Sequence, residues 1–403
     1  MTHGLHSNTS ITQGSLILPK PDDSSIYYLF HLSTGNPWGV YYALIDMSLS
    51  NGLGDILPGK KNVQIYSGND VSEKLAAVKH ANGRDWWILT HSQSSSNFYI
   101  FLLTPDTIYF NSTQSIGTDP YLTGPFAGEM LFSPNGNKLG LVGATGIINL
   151  FDFDRCSGAI SNFVDLTNEN YYVGYGYYGC SFSPDGSKFY VSNFDSLLQF
   201  NLNDSNIVAS EELIWFNPYY LGGGADKYYL GQHQATPNGK IFISLTRGNS
   251  VNLPDTFIDK NLCVINKPDE LGLASDFVPC SFYLGDYHTG FGLPNSPNYN
   301  LGPLLGSPCD TVYTSISENR GFKMESLIIY PNPVENSAEY HINYYQPGNH
   351  ELTIYDLTGK AITSHHLRIS YGHLDVSNFQ PGCYLIKLSR KGEMISTLKF
   401  IKS

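Results

Sequence analysis

The sequence predicts an all-β protein: a body of β-propeller-like repeats followed by a small Ig-like β-sandwich. Three observations predict it. Charged residues make up 14% of the chain, while Tyr (29), Phe (22) and Gly (39) are abundant; an average soluble protein has about 25% charged residues. An Asn-Gly or Asp-Gly turn between two apolar strands recurs, with its glycines at 83, 136, 186 and 239. Apolar residues alternate with period two, and helical periodicity is nearly absent.

The chain opens on MTHGLHSNTSITQG, which has neither the basic nor the apolar segment of a secretory leader. The turn signature then organises residues 1–295. It reads KHANGRDWWIL, FSPNGNKLGLV, FSPDGSKFYVS and ATPNGKIFISL, and a weaker copy, LPKPDDSSIYYLF, precedes these by about one period. SDFVPCSFYLG is read as the opening of a last copy, giving five or six repeats of about 50 residues. A repeat of 40 to 50 residues built of about four strands is what a propeller blade requires, because one blade cannot bury both faces without neighbours. Asn135, Asp185 and Asn238 are read as turn formers, since Asn and Asp bond their own backbone two residues on.

Six cysteines stand at 156, 180, 263, 280, 309 and 383, with no C-x-x-C pair and no histidine at metal-ligand spacing, so a zinc site is not expected. Cys156 with Cys180, and Cys263 with Cys280, are paired in this reading, each bridge closing a loop of roughly 20 residues and contributing about 3 kcal/mol. Residues 296–324 are rich in Gly, Pro, Ser and Asn and are read as a linker. Residues 325–403 return to compact alternating strands, which predicts the sandwich. They hold as many basic as acidic residues, so the net charge of -12 belongs to the body. An acidic body is a poor partner for nucleic acid or anionic lipid. No apolar run approaches the roughly 18 residues of a membrane-spanning helix.

YPNP at 330–333, IYDLTGK at 354–360, LDVSNFQPGCYLIKL at 374–388 and KFIK at 399–402 occur in that order. Over this stretch the chain resembles the type A C-terminal sorting domain of type IX secretion. The resemblance assigns the family's positions to Tyr330, Pro331, Asn332, Pro333, Gly359, Lys360, Gly382, Tyr384, Lys399 and Phe400. It implies export across the outer membrane of a Bacteroidota-type cell, recognition by the type IX machinery, and removal of the domain by a sortase-like peptidase. From the residues alone, Pro331 and Pro333 stiffen the first strand, Gly359 makes a hairpin turn, and Lys399 and Lys402 point outward on the last strand. The body, through QGSLILPKPDDSSIYYLF, GVYYALIDMSLSNGLGDI and FGLPN, resembles the repeat region of gliding-motility-associated surface proteins. In that group a secretion signal and about one more blade usually come first, which implies an N-terminally incomplete body here.

Chemistry is harder to find. G-x-S-x-G, S-x-x-K, D-x-D-x-D-G and H-E-x-x-H are absent, so no catalytic residue, metal or cofactor is expected. His233 and His288 are read as strand or loop residues, and FDFDR at 151–155 as an alternating strand. YYVGYGYYG and NPYYLGGGADKYY place Tyr175, Tyr177, Tyr178, Tyr219 and Tyr220 among glycines. Such rings either anchor a ligand or pack between blades; as a surface they are the candidate contact for an extracellular glycan or protein. The functional expectation is a secreted or surface-exposed binding or scaffold protein, the alternative an extracellular hydrolase or lyase on a propeller.

Overall fold

The computed structural model describes residues 4–8, 10–119, 127–167, 176–193, 195–217, 228–247, 260–310, 326–343, 348–391 and 393–403. It has two compact units, Met1–Thr311 and Val312–Ser403. No helix among the described residues is long and apolar enough to cross a membrane.

Among the described residues the first unit contains five consecutive antiparallel sheets, blades I to V. Blade I is formed by Ser15–Lys20, Asp23–Ser33, Gly39–Asp46 and Asp55–Ile56, with Val63–Tyr66 also pairing the third strand. Blade II comprises Val71–Lys79, Trp86–Ser92, Asn97–Leu103 and Ile108–Ser115. Blade III comprises Met130–Phe132, Lys138–Gly143, Ile147–Phe153 and Ile160–Asp165, and blade IV Tyr177–Phe182, Lys188–Asn193, Ser196–Asn201 and Glu212–Phe216. Blade V consists of Tyr228–Ala235, Ile241–Arg247, Asn261–Ile265 and Phe277–Tyr283. The segment around Phe277, expected to open another repeat, is instead the fourth strand of blade V, because its backbone pairs with Asn261–Ile265.

The recurring turns join the first two strands of each blade. Gly83, Gly136, Gly186 and Gly239 hold φ of 72, 74, 74 and 78°, the left-handed region where only glycine is unstrained. Each donates its N–H three residues back, to His80, Ser133, Ser183 and Thr236. In blade I that conformation falls on Asp22, at φ 64°, which is why its sequence copy is weaker. Asp185 accepts from the Ser183 hydroxyl (2.6 Å) and the Ser187 amide (2.8 Å), as a turn former should.

Alternation explains why the blades stack. In Trp86–Ser92, Trp86 and Ile88 enter the core shared with blade I, whereas Trp87 and Leu89 enter the core shared with blade III. Phe189 and Tyr190 divide in the same way between the III–IV and IV–V cores. The middle strands Trp86–Ser92 and Lys188–Asn193 are therefore buried throughout, while the outermost strand of blade V is largely exposed. Four apolar cores join consecutive blades, and none among the described residues joins V to I.

Residues 296–310, expected to belong to a linker, are packed on the body. Coming from blade V, the segment bonds Asn295 Nδ2 to the Leu75 carbonyl (2.7 Å), Asn298 Nδ2 to that of Pro134 (2.9 Å) and the Tyr299 hydroxyl to that of Ile17 (2.7 Å). Farther on, Leu304 N donates to Ala81 (2.8 Å), and the Gly302 carbonyl accepts from the guanidinium of Arg155 (2.6 Å). This strap brings Cys309 to Cys156, with Cα atoms 5.6 Å apart, and the two form a disulfide. The expected Cys156–Cys180 pairing is thereby corrected, since Cys180 lies fully buried in the III–IV core. Cys263 and Cys280 face each other where the strands of blade V slip register, the Cys280 amide 3.5 Å from Cys263 Sγ, as free thiols.

The second unit is a sandwich of two antiparallel sheets. Ser326–Tyr330, Ser337–Asn343 and Tyr371–Asp375 form one; Ala361–Leu367, His350–Tyr355, Gly382–Arg390 and Glu393–Lys402, in that order, form the other. Its core draws Leu327, Ala338, Ile342 and Leu374 from the first sheet and Leu352, Ile354, Ile386, Leu388 and Phe400 from the second.

Candidate functional site

The innermost strands of the body converge on a polar cluster whose centre is supplied from just ahead of blade I. Thr12 donates its amide and hydroxyl to Glu73 Oε2 of blade II (2.9 and 2.7 Å). Its hydroxyl accepts from Gly128 N (3.2 Å), at the threshold of blade III, and lies 3.4 Å from the Tyr178 hydroxyl of blade IV. Its carbonyl accepts from Gln232 Nε2 of blade V (2.8 Å). The Gln13 amide side chain exchanges two bonds with the main chain of Met130, at 2.8 and 3.0 Å. Two residues therefore connect blade I to the other four.

Around them lie buried ionisable groups. Glu129 receives the amides of Cys180 (2.9 Å) and His233 (3.0 Å) on Oε2, yet its burial pushes the carboxyl up to about 8. Lys74, with no exposed surface, donates to the carbonyls of Ala127 and Gly128, and burial lowers its ammonium to about 7. His233 sits between the hydroxyls of Ser181 (2.9 Å) and Ser192 (3.0 Å), and burial lowers it to about 3, so the ring is neutral. Neutral imidazole and protonated carboxyl are the forms a low-dielectric interior favours.

Above this cluster a cavity of about 680 Å³ opens between the turns and the strap. Ala76–Val78, Met130–Pro134, Ser181–Phe182 and His233–Pro237 give walls from blades II to V, and Pro294–Asn300 closes one side. Pro134, Pro184 and Pro237, from equivalent turns, line it together with Pro294 and Pro297. Among the described residues, Glu129 and His233 are its only ionisable lining groups apart from the phenol of Tyr299. Such a lining suits a neutral ligand with a flat apolar face.

The sequence pointed elsewhere in the body. Tyr175, Tyr219 and Tyr220 lie outside the described residues. Tyr177 is buried at 4% exposure in the III–IV core, and Tyr178 packs on Phe291 with ring centroids 5.0 Å apart, so these two rings pack between elements. Glu129 and Lys74 were missed because neither belongs to a motif: Lys74 sits beside Glu73 and ahead of Lys79 in the first strand of blade II, and Glu129 immediately precedes the first strand of blade III.

In the sandwich the motif residues come together as two structures. The first is a turn: Asp356 accepts from the amides of Thr358 (2.8 Å) and Lys360 (3.1 Å), and Gly359 takes φ 84°. The second unites YPNP with the last strand. Asn332 accepts from Ile401 N (2.9 Å) and donates to the Lys399 carbonyl (3.2 Å). Tyr384, which follows Gly382, stacks on Phe400 with centroids 5.4 Å apart and donates its hydroxyl to the Gln380 carbonyl (2.7 Å). Pro331 and Pro333 fall after the strand ending at Tyr330, flanking Asn332. Lys399 is exposed as expected, but Lys402 is 8% exposed; three residues apart on a strand, the two must face opposite sides.

Residues 328–403 match the family described as the secretion system C-terminal sorting domain. They are a type IX sorting domain. The domain marks the chain for export to the cell surface or extracellular space and implies interaction with the secretion machinery. No curated protein matches the chain. Among solved structures, similarity is found to a protein from Lactobacillus plantarum, at 13% identity over 70% of this chain and 72% of that one, TM-score 0.41. PorZ, a surface component of the type IX secretion system of Porphyromonas gingivalis, is similar at 13% identity over 96% of this chain and 51% of its own, TM-score 0.34. The periplasmic gluconolactonase PpgL of Pseudomonas aeruginosa is similar at 12% identity, covering 61% and 66%, TM-score 0.41. Likeness at this level says nothing of activity.

Proposed function

We propose that the body is a binding module displayed outside the cell, and that it takes a neutral glycan or uncharged peptide in the cavity between the turns and the strap. The observation that carries this reading is the cavity itself: about 680 Å³, walled by four blades and the strap, with rigid prolyl and aromatic faces at its sides and amides along the strap. Flat apolar faces stack on sugar rings or on aromatic and prolyl side chains, and the amides supply directional bonds. The sorting domain delivers this module, and a sortase-like peptidase removes the domain on arrival.

A glycan array and an uncharged peptide library, applied to the full chain, test the reading. A saturable ligand whose binding drops at least tenfold in Tyr299→Ala is the expected result. A ligand unaffected by that change, or no saturable ligand at all, removes the support for the cavity.

A hydrolase is favoured by one observation, that Glu129 and His233 reach the same cavity. Against it, Glu129 Oε2 is engaged by two main-chain amides and both ring nitrogens of His233 by serine hydroxyls. Turnover of any glycan in the same array that disappears in Glu129→Gln would establish it.

A further inference from the structure

The final strand, Glu393–Lys402, lies at the edge of its sheet, with Gly382–Arg390 on one side. Its other side is not left open at the end of the chain. The Asn332 carboxamide accepts from Ile401 N and donates to the Lys399 carbonyl. Val334 N then donates to the Ile401 carbonyl (2.7 Å), and Ser403 N to the Val334 carbonyl (2.9 Å). Val334 and Lys402 form a parallel bridge. A side chain thus does what a strand residue would do, offering one acceptor and one donor in line with the ladder that the main chain of Val334 continues. Only an amide carries both groups at that reach; Asp would accept but place its second oxygen against the Lys399 carbonyl.

The clasp holds the strand end in the register it shares with Gly382–Arg390, where Phe400 lies opposite Tyr384 and Lys399 opposite Leu385. With 399–403 pinned on both edges, Phe400 and Lys402 turn inward, at 2% and 8% exposure, and Lys399 and Ile401 turn outward, Ile401 at 44%. We propose that Asn332 is a positioning residue for export: it holds the end of the terminal strand in the register that presents Lys399 and Ile401 to the secretion machinery, and the machinery reads that strand in place. The proposal rests on residues 328–403 acting as the sorting domain.

The test uses the full chain in a type IX-competent host, behind a leader that delivers it to the periplasm. Asn332→Ala and Asn332→Asp are compared with Val376→Ala, which weakens the sandwich core but leaves the clasp intact. Export is read as the surface-plus-medium fraction, and the clasp as hydrogen exchange of the C-terminal peptide in purified protein. Export of both Asn332 variants should fall at least fivefold and their C-terminal peptide should exchange about tenfold faster, while Val376→Ala is exported like the parent. Normal export of Asn332→Ala overturns the proposal, and so does an equal loss in Val376→Ala, which would make stability the cause. Lys399→Glu with Ile401→Ser keeps the clasp and needs no change of fold; it should lose export with unchanged exchange, and normal export of that variant equally sinks the idea. A chain lacking 328–403 that still reaches the surface would instead refute the sorting reading itself.

Discussion

Two kinds of junction hold the body together. Between blades I–II, II–III, III–IV and IV–V, side chains from both faces interdigitate in apolar cores built around Trp86, Phe98, Phe151, Phe189 and Ile243. Between V and I the links among the described residues are polar, each joining a blade residue to one outside the blades: Gln232 to Thr12, Gln232 to Phe291 and Leu293 just ahead of the strap, and Ile17 to Tyr299. The difference is one of mechanism. Apolar junctions gain from area removed from water and tolerate small shifts, whereas the polar junction gains from geometry and leaves buried groups unsatisfied when one partner goes.

That contrast predicts a ranking. Trp86→Ala, which empties the I–II core beneath a fully buried ring, should cost about 3–5 kcal/mol by chemical unfolding of the purified body. Cys309→Ser frees a loop spanning 153 residues and should cost about 2–4 kcal/mol. Reductant should give the parent protein the same midpoint as the variant. A loss from Cys309→Ser larger than that from Trp86→Ala would mean that the strap, not the cores, dominates stability.

Acid sharpens the comparison. His91 and His233 are held near 3 by burial, so the unfolded chain binds protons that the folded body refuses, and stability falls as pH drops from about 6.5 towards 3. Glu129, pushed up to about 8, acts in the opposite sense: from about 4.5 to 8 the folded state keeps a proton that the unfolded chain releases, so stability there falls as pH rises. It offsets one histidine between 4.5 and 6.5, and the steepest loss comes below 4.5. Each histidine contributes at most about 1.4 kcal/mol per pH unit. His233→Gln should flatten the acid limb by that amount in a series of melts; an unchanged slope would show that His233 protonates freely in the folded state. The smallest effect belongs to the polar junction: Gln232→Ala should cost about 1–2 kcal/mol. A cost equal to that of Trp86→Ala would erase the distinction between junctions.

What could be read from the chain follows the same division. The blades were legible because their turns need glycine at positive φ and their cores need alternation, and both leave local marks, as at Gly136 and in Trp86–Leu89. Asp22 blurred the first copy by taking a glycine's place. The strap was not legible, since FGLPNSPNYNLGPL has no periodicity and its bonds reach carbonyls as far off as Leu75 and Ile17. The Cys156–Cys309 pairing was hidden with it. In the sandwich, YPNP and KFIK could be seen as motifs, but nothing local shows that Asn332 bridges to residues 69 positions away.

The strap also imposes an order in time. Arg155 and Cys156 are made early and their partners Gly302 and Cys309 come 147 and 153 residues later, after the last strand of blade V has been synthesised. Blades can therefore stack as they emerge, but the body is sealed last, at the chain end nearest its export signal. A body that arrives unsealed is one whose synthesis or oxidation was not finished, so a single late bond reports on the history of the whole.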